Sequence, residues 1–302
     1  MACCVPRIVV NPRYKKIAPD THFRLYHHEL GKHPKKDYYI TVGCGRCINC
    51  FKKYMSSWRF RLIQEFLPYS REQISRSYFV TLTIEPRFYS EKRVVLKKMV
   101  RRFLERVRKK YGKSIRHFLV TERGEDFNRL HFHGFFFDTH VPPNDFYNLW
   151  YYGFVTVSPL TRTDYTLSQR ISYCTSYVTK GKKGKLPLVI PPEDWPLVLV
   201  SPGLGASYAS STASLVHHQG SELFSMAFEL NGTLRSLPRY LRQKVFSEVE
   251  LNNLKNDYFD SVSDDVIPDG PYYIGERRYD DYSLYLKDCV SISHLYKSIY
   301  GK

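Results

Sequence analysis

The sharpest hydrophobic pattern in the chain is Tyr78-Phe79-Val80-Thr81-Leu82-Thr83-Ile84. β-Branched and aromatic residues run together and stop at Pro86, which predicts a strand. Before it, Phe51, Tyr54, Trp58, Leu62 and Phe66 recur every three or four positions and predict a helix over 51–66. Lys52, Lys53, Arg59 and Arg61 lie around that stripe. After it, Val95, Met99, Phe103, Leu104 and Val107 form the apolar side of a very basic helix over 91–110. His117–Thr121 and Leu130–Phe137 read as strands. The polar turn Arg123–Arg129, with Gly124, Asp126 and Asn128, joins them as a hairpin. A short helix over Pro143–Tyr151, a strand over Gly153–Ser158 and a helix over Leu167–Thr179 follow, the last ended by Gly181. The order strand, helix, hairpin, helix, strand, helix predicts an α+β fold: a central antiparallel sheet with helices packed on one side of it.

The flanks differ in character. Residues 1–40 carry Pro6, Pro12, Pro19 and Pro34 and read as loops and short extended pieces. After Leu186 come proline-rich stretches, a Gly-Ser-Ala region at 201–214 and an acidic segment from Glu248 to Asp269. Within them only Pro238–Glu250 reads as a helix. The expected organisation is an N-terminal arm with its basic helix (1–75), a core (76–186) and a C-terminal extension (187–302).

Charge narrows the function classes. The 302 residues carry a formal charge of +17, and the pI is about 9.5. This predicts attraction to polyanions, nucleic acid before acidic membrane. Aromatic residues make up 16% of the chain, 25 of them tyrosine, and aromatics among cations are what a single-strand binder uses. Arg101, Arg102, Arg106, Arg108, Lys109 and Lys110 fall mainly on the solvent side of the 91–110 helix, and Lys182, Lys183 and Lys185 follow the 167–179 helix. A run of charges is usually only a solvated face; the overall excess argues for phosphate tracking here, with Arg101, Arg102, Lys182 and Lys183 as candidate DNA contacts. Mean hydropathy is −0.41, and no run of about 18 apolar residues, the length of a membrane span, is present. The N-terminus lacks a signal-peptide pattern, so the expectation is a cytosolic protein with no membrane partner.

Three constellations carry chemistry. In a strand, His131 and His133 put both imidazoles on one face, about 7 Å apart at the backbone. Most H-x-H pairs are incidental. Here a hairpin would bring Glu122, nine residues earlier, beside the histidines as an oxygen ligand; Glu125 and Asp126 are alternatives within the turn. Two imidazoles and one carboxylate leave open positions for a phosphate oxygen on Mg²⁺ or Mn²⁺, and Mn²⁺ tolerates nitrogen ligands better. In a helix, Tyr173, Tyr177 and Lys180 share one face. With 25 tyrosines in the chain, Y-x3-Y alone is almost uninformative and fits any helix face. Beside a metal site, two hydroxyls and a cation suit covalent attack on phosphorus. Finally, Cys44, Cys47 and Cys50 have spacing that lets thiolates share one ion, as in zinc sites. Cys3, Cys4 and His33 are candidate fourth ligands. Reduced, partly buried cysteines at a helix start are the plain alternative, and a structural Zn²⁺ clasp is favoured over it and over an iron–sulfur cluster. An odd count of 7 cysteines argues against a disulfide framework.

Taken together, Phe79–Thr83, His131-Phe132-His133 and Tyr173–Lys180 resemble the three motifs of HUH-type rolling-circle replication initiators. The closer resemblance is to the initiators of microviruses, a family of small single-stranded DNA phages. Cys44–Cys47, Trp58-Arg59, Gly124, Gly203-Leu204-Gly205 and Leu237-Pro238-Arg239-Tyr240 support it, over roughly residues 40–245. The resemblance implies an HUH/RRM-like palm in the 76–186 core. It implies that the first core strand, with Thr81 and Thr83, helps recognise DNA, that His131, His133 and Glu122 bind the metal, and that Tyr173 and Tyr177 are nucleophiles. The implied reaction is a transesterification that leaves a 5′-phosphotyrosyl bond and a free 3′-OH. Single-stranded and origin DNA and host helicase and polymerase are the implied partners, in the host bacterial cytoplasm. Two departures stand out: Ser176 replaces the lysine that often precedes the second tyrosine, and Leu130 the proline that often precedes the first histidine. Ser176 leaves Tyr177, with Lys180 one turn away, as the safer nucleophile. The competing class is a non-catalytic basic nucleic-acid binder, for packaging or structure.

Overall fold

The computed structural model describes residues 7–10, 39–45, 47–124, 129–161, 164–176, 195–219, 226–230, 233–261, 272–274 and 277–279. The chain divides into two compact units. One comprises residues 1–54, 186–191 and 252–302; the other comprises 55–185 and 192–251. In the first unit, β1 (Arg7–Val10) pairs antiparallel with β2 (Tyr39–Val42). The helix α1 (Ile48–Phe66) follows and runs on into the second unit.

The second unit is built on one five-stranded sheet. Its strands are β3 (Tyr78–Thr83), β4 (Arg116–Arg123), β5 (Leu130–Phe137), β6 (Val155–Pro159) and β7 (Val198–Val200). They lie in the order β6-β3-β5-β4-β7, and every neighbouring pair is antiparallel. Its helices are the end of α1, α2 (Arg71–Ser75), α3 (Arg93–Tyr111), α4 (Pro143–Leu149) and α5 (Asp164–Ser176). The predicted hairpin is therefore β4–β5, and the predicted α+β class holds.

One expectation fails. Helices cover both faces of the sheet, not one. Val80, Leu82, Leu119, Phe132 and Phe136 pack with Leu96, Met99, Val100, Phe103 and Val107 of α3, and with Phe146 of α4. Phe79, Phe118, Val120, Phe135 and Phe137 pack with Leu62 and Phe66 of α1, and with Ile171 and Cys174 of α5. The reason lies in β5. Its last residues, Phe135-Phe136-Phe137, send aromatic rings to both sides, and such a strand must be covered twice.

The C-terminal flank is more ordered than its composition suggests. β7 supplies an edge strand of only three residues, too short to stand out as a pattern. Short 3-10 helices occupy Ala206–Ser210 and Thr212–His218. β8 (Ala227–Leu230) and β9 (Thr233–Ser236) form a hairpin. The single helix expected over 238–250 is two: α6 (Arg239–Val245) and α7 (Glu248–Ser261). Phe246 is extended between them. The break comes from a reciprocal cap, in which the Ser247 N–H donates to Glu250 and the Glu250 N–H donates back to the Ser247 hydroxyl. A last hairpin, β10 (Tyr272–Ile274) with β11 (Arg277–Tyr279), belongs to the first unit. No described helix is long and apolar enough to cross a membrane.

A buried ion pair ties α1 to the sheet and to the loop after β7. Arg116 donates from Nε and from one terminal nitrogen to the two carboxylate oxygens of Glu65, at 2.5 and 2.8 Å. Glu65 also accepts from the Gly205 N–H at 2.7 Å and from the Tyr69 hydroxyl at 2.9 Å. Burial alone would raise the Glu65 pKa; the bonds from Arg116, Gly205 and Tyr69 outweigh it and lower the value. A carboxyl that titrates lower when folded stabilises the fold above the unfolded carboxylate pKa, and that contribution is lost as pH falls. Arg116→Ala leaves a buried carboxylate without its cation. Because the arginine is itself 35% exposed, we expect a loss of about 2–3 kcal/mol, below the range for fully buried pairs, measured by urea unfolding at pH 7. At pH 3 the gap between Arg116→Ala and wild type should shrink.

Candidate functional site

The antiparallel register of β3 and β5 sets Thr81 opposite His133 and Thr83 opposite His131. On the other side of β5, Glu122 lies opposite His131 and Val120 opposite His133. Directly opposed residues point to the same face, so Thr81, Thr83, Glu122 and both histidines share one side of the sheet. Each threonine hydroxyl reaches the Nδ1 of its partner imidazole: Thr81 to His133 at 2.9 Å and Thr83 to His131 at 3.0 Å. Both Nε2 atoms are thereby left facing away from β3. His133 Nε2 lies 3.1 Å from Glu122 Oε2. Gly124 sits against His131, where a Cβ would come within 3.0 Å of its Nε2.

Helix α5 closes this face. The Tyr173 ring stands edge-on to His133, with centroids 5.5 Å apart, and edge-on to Phe79 at 5.9 Å. One turn earlier, the Arg170 guanidinium lies over the Phe79 ring at 4.7 Å. Arg170 and Tyr173 thus come to the histidine side together, as an i, i+3 pair. Sequence reasoning missed Arg170, because nothing in its local pattern marks it; only the packing of α5 on Phe79 does. Cys174 faces the core and is not a rival nucleophile, since burial, with the Glu122 charge adding to it, pushes its thiol pKa well up.

The electrostatics keep both imidazoles neutral. Burial, helped by the Arg129 charge, lowers the His131 pKa. Burial, with His131 adding to it, lowers that of His133 to about 4. Neutral imidazoles with Nδ1 held by hydroxyls present Nε2 in a fixed orientation, which is what a metal ligand needs. With Glu122 in contact with His133, the donor set of two nitrogens and one carboxylate suits a divalent cation, Mn²⁺ more than Mg²⁺. The three groups are more open than a closed metal cage. Among the described residues, the potential ligands gathered within 4.8 Å of one another are Cys44, Cys47 and Cys50.

That thiol cluster precedes and opens α1. Cys44 Sγ and Cys50 Sγ are 4.0 Å apart. The Cys47 N–H donates to Cys44 Sγ at 3.2 Å, and the Cys50 N–H to Cys47 Sγ at 3.4 Å. Backbone N–H bonds of this kind favour thiolates. A trio so placed could bind a metal such as zinc.

Other expected residues fall elsewhere. Arg101 and Arg102 are exposed on α3, which covers the opposite face of the sheet from the histidines. Arg101 pairs with Glu105 at 2.9 Å. The hydroxyls of Thr81 and Thr83, expected to help recognise DNA, are engaged by the imidazoles. Tyr177, Lys180, Lys182 and Lys183 lie outside the described residues, as do Glu125, Asp126, Cys3, Cys4 and His33.

Residues 77–182 match the model of a family described as replication-associated protein, of the ORF2 type. The matched segment holds β3 to α5 and hence the histidine pair, Glu122 and Tyr173. The match supports a replication initiator of the rolling-circle kind, and with it DNA binding. No curated protein and no solved structure matches the chain.

The site makes a direct prediction about protonation. In metal-free protein, imidazole NMR should show His133 neutral down to a midpoint near pH 4 and His131 titrating below an ordinary histidine. Both histidines then bind more protons unfolded than folded. Their contribution should be complete above about pH 6.5 and decline as pH falls toward the folded values. A His133→Gln variant should flatten that decline.

Proposed function

We propose that this chain nicks and rejoins DNA to start rolling-circle replication, by tyrosine transesterification. One observation carries the reading: His131, His133, Glu122 and Tyr173 meet on a single sheet face, inside the segment that matches a replication-associated family. In this reading His131, His133 and Glu122 hold Mn²⁺ or Mg²⁺, which would polarise a phosphodiester oxygen.

A tyrosine hydroxyl, Tyr173 or Tyr177, attacks phosphorus. Its O–P bond forms as the bond from phosphorus to the 3′-oxygen breaks, and its proton leaves to water or a neighbouring base. The freed 3′-oxygen takes up a proton and becomes the 3′-OH primer, while the 5′-phosphate stays on the tyrosine. Bond energy is conserved in that ester, so the later rejoining needs no nucleotide cofactor. Thr81 and Thr83 act one step back, orienting the imidazoles through Nδ1. Arg170 supplies positive charge beside Tyr173, and Lys180 does so for Tyr177. Single-stranded and origin DNA are the substrates, host helicase and polymerase the partners, and the bacterial host cytoplasm the setting. In the same proposal, Cys44, Cys47 and Cys50 hold a structural Zn²⁺ in the N-terminal arm.

The test incubates the protein with circular single-stranded origin DNA, with Mn²⁺ or with EDTA, and follows covalent adduct on denaturing gels. Adduct should require the metal and fall at least a hundredfold in His131→Ala and His133→Ala. It should vanish in the Tyr173→Phe, Tyr177→Phe double variant. Metal-independent binding without adduct would instead assign the chain to non-catalytic nucleic-acid binding. For the thiol cluster, protein purified from zinc-supplemented cells should carry one Zn²⁺ per chain by elemental analysis, and Cys47→Ser should lose it. Equal zinc content in both would remove the clasp.

A further inference from the structure

The histidine face continues past β3 onto the edge strand β6. Leu82 is opposite Val155 and Thr81 opposite Thr156 in the β3–β6 register. One step further, the Thr83 N–H donates to the Phe154 carbonyl at 2.8 Å. Phe154 therefore takes the place across from Thr83, and its side chain and that of Thr156 share the face of Thr81, Thr83 and the histidines. Both are exposed, Phe154 by 70%. Nearby apolar side chains on this face, Phe79 and Phe135, are buried.

The backbone around Phe154 is fixed, not loose. The Glu85 N–H donates to the Tyr152 carbonyl at 2.8 Å, and the Trp150 indole N–H donates to the Thr83 carbonyl at 2.9 Å. Gly153 has φ +151°, and a Cβ there would come within 2.4 Å of the Thr83 carbonyl oxygen. The chain is thus drawn hard against the end of β3. This holds an exposed aromatic ring one strand away from the residue that anchors His131. Water-exposed phenylalanine at a rigid position beside a reactive centre gains nothing for the fold; it gains from a flat apolar partner.

We infer that Phe154 is a stacking platform for one unpaired base of single-stranded DNA next to the reacting phosphate, with Thr156 beside it on the same strand. The inference rests on the nuclease reading above. Charge selects the occupant. A chain of formal charge +17 draws a polyanion to itself, and every nucleobase presents an apolar face that a phenyl ring can stack on without regard to sequence. The ring then sets where the strand lies relative to the histidines, so it is a positioning residue and not a chemical one.

The test measures binding of a fluorescein-labelled 12-nucleotide single strand by anisotropy, at several salt concentrations and without divalent metal. Phe154→Ala should weaken binding roughly five- to a hundredfold, the range of one base–aromatic stack. Its salt slope should match wild type, because no phosphate contact is removed. Phe154→Trp should retain affinity and add a fluorescence signal that the oligonucleotide quenches. Phe154→Ala binding within twofold of wild type, or an added tryptophan signal that saturating oligonucleotide leaves unchanged, overturns the platform. Covalent adduct is scored in parallel on origin DNA. Adduct without a Phe154 effect sinks the platform alone, whereas a Phe154 effect without any wild-type adduct sinks the nuclease reading and keeps the base contact.

Discussion

Everything at the site depends on the register between β3 and β5. Thr81 faces His133 and Thr83 faces His131, and each pair is closed by a hydroxyl–imidazole hydrogen bond. A slip of one residue would send both histidines into the packed face under α3 and bring Phe132 to the open one. Such a slip is strongly opposed. Val80, Leu82, Phe132 and Phe136 are all essentially inaccessible on the far side, so the aromatic core and the polar cluster specify the same pairing. The hydrogen bonds also fix which ring nitrogens are free. Packing, register and ligand orientation are thus one constraint seen at three scales.

Around that constraint the site is polar but poorly solvated. His133 is nearly buried, Glu122 touches it, and Tyr173 covers it. A low-dielectric setting of this kind strengthens each electrostatic contact and holds the imidazoles neutral. The thiol trio before α1 follows a different logic. Its sulfurs come from one short stretch of chain and are brought together by local turns and backbone N–H bonds. The histidine cluster instead assembles from three strands and a helix, and so it exists only when the sheet is folded.

Much of this was legible in the residues. The period of two in His131-Phe132-His133 announced a shared face, and the hairpin length placed Glu122 beside it; both follow from strand geometry alone. What was illegible required knowing neighbours. The strand β5 carries apolar residues on both sides, a hint that both faces are covered, yet the helix order suggested one side. The cap at Ser247 and Glu250 is plain once seen, but it competed with an unbroken helical pattern over 238–250. Thr81 and Thr83 read as surface hydroxyls for DNA; their opposite partners, and hence their imidazole bonds, depend on long-range pairing. Arg170 and Phe154 became visible only through the packing of α5 and the lacing of residues 150–154 to the end of β3.

The most direct measurement is to locate the covalent bond. After reaction with origin DNA and Mn²⁺, the adduct would be trimmed with nuclease, digested with trypsin and sequenced by mass spectrometry. The account predicts a nucleotide attached through a 5′-phosphate to Tyr173 or Tyr177. Attachment at a tyrosine far from the histidine face, or a 3′-linked adduct, would contradict it.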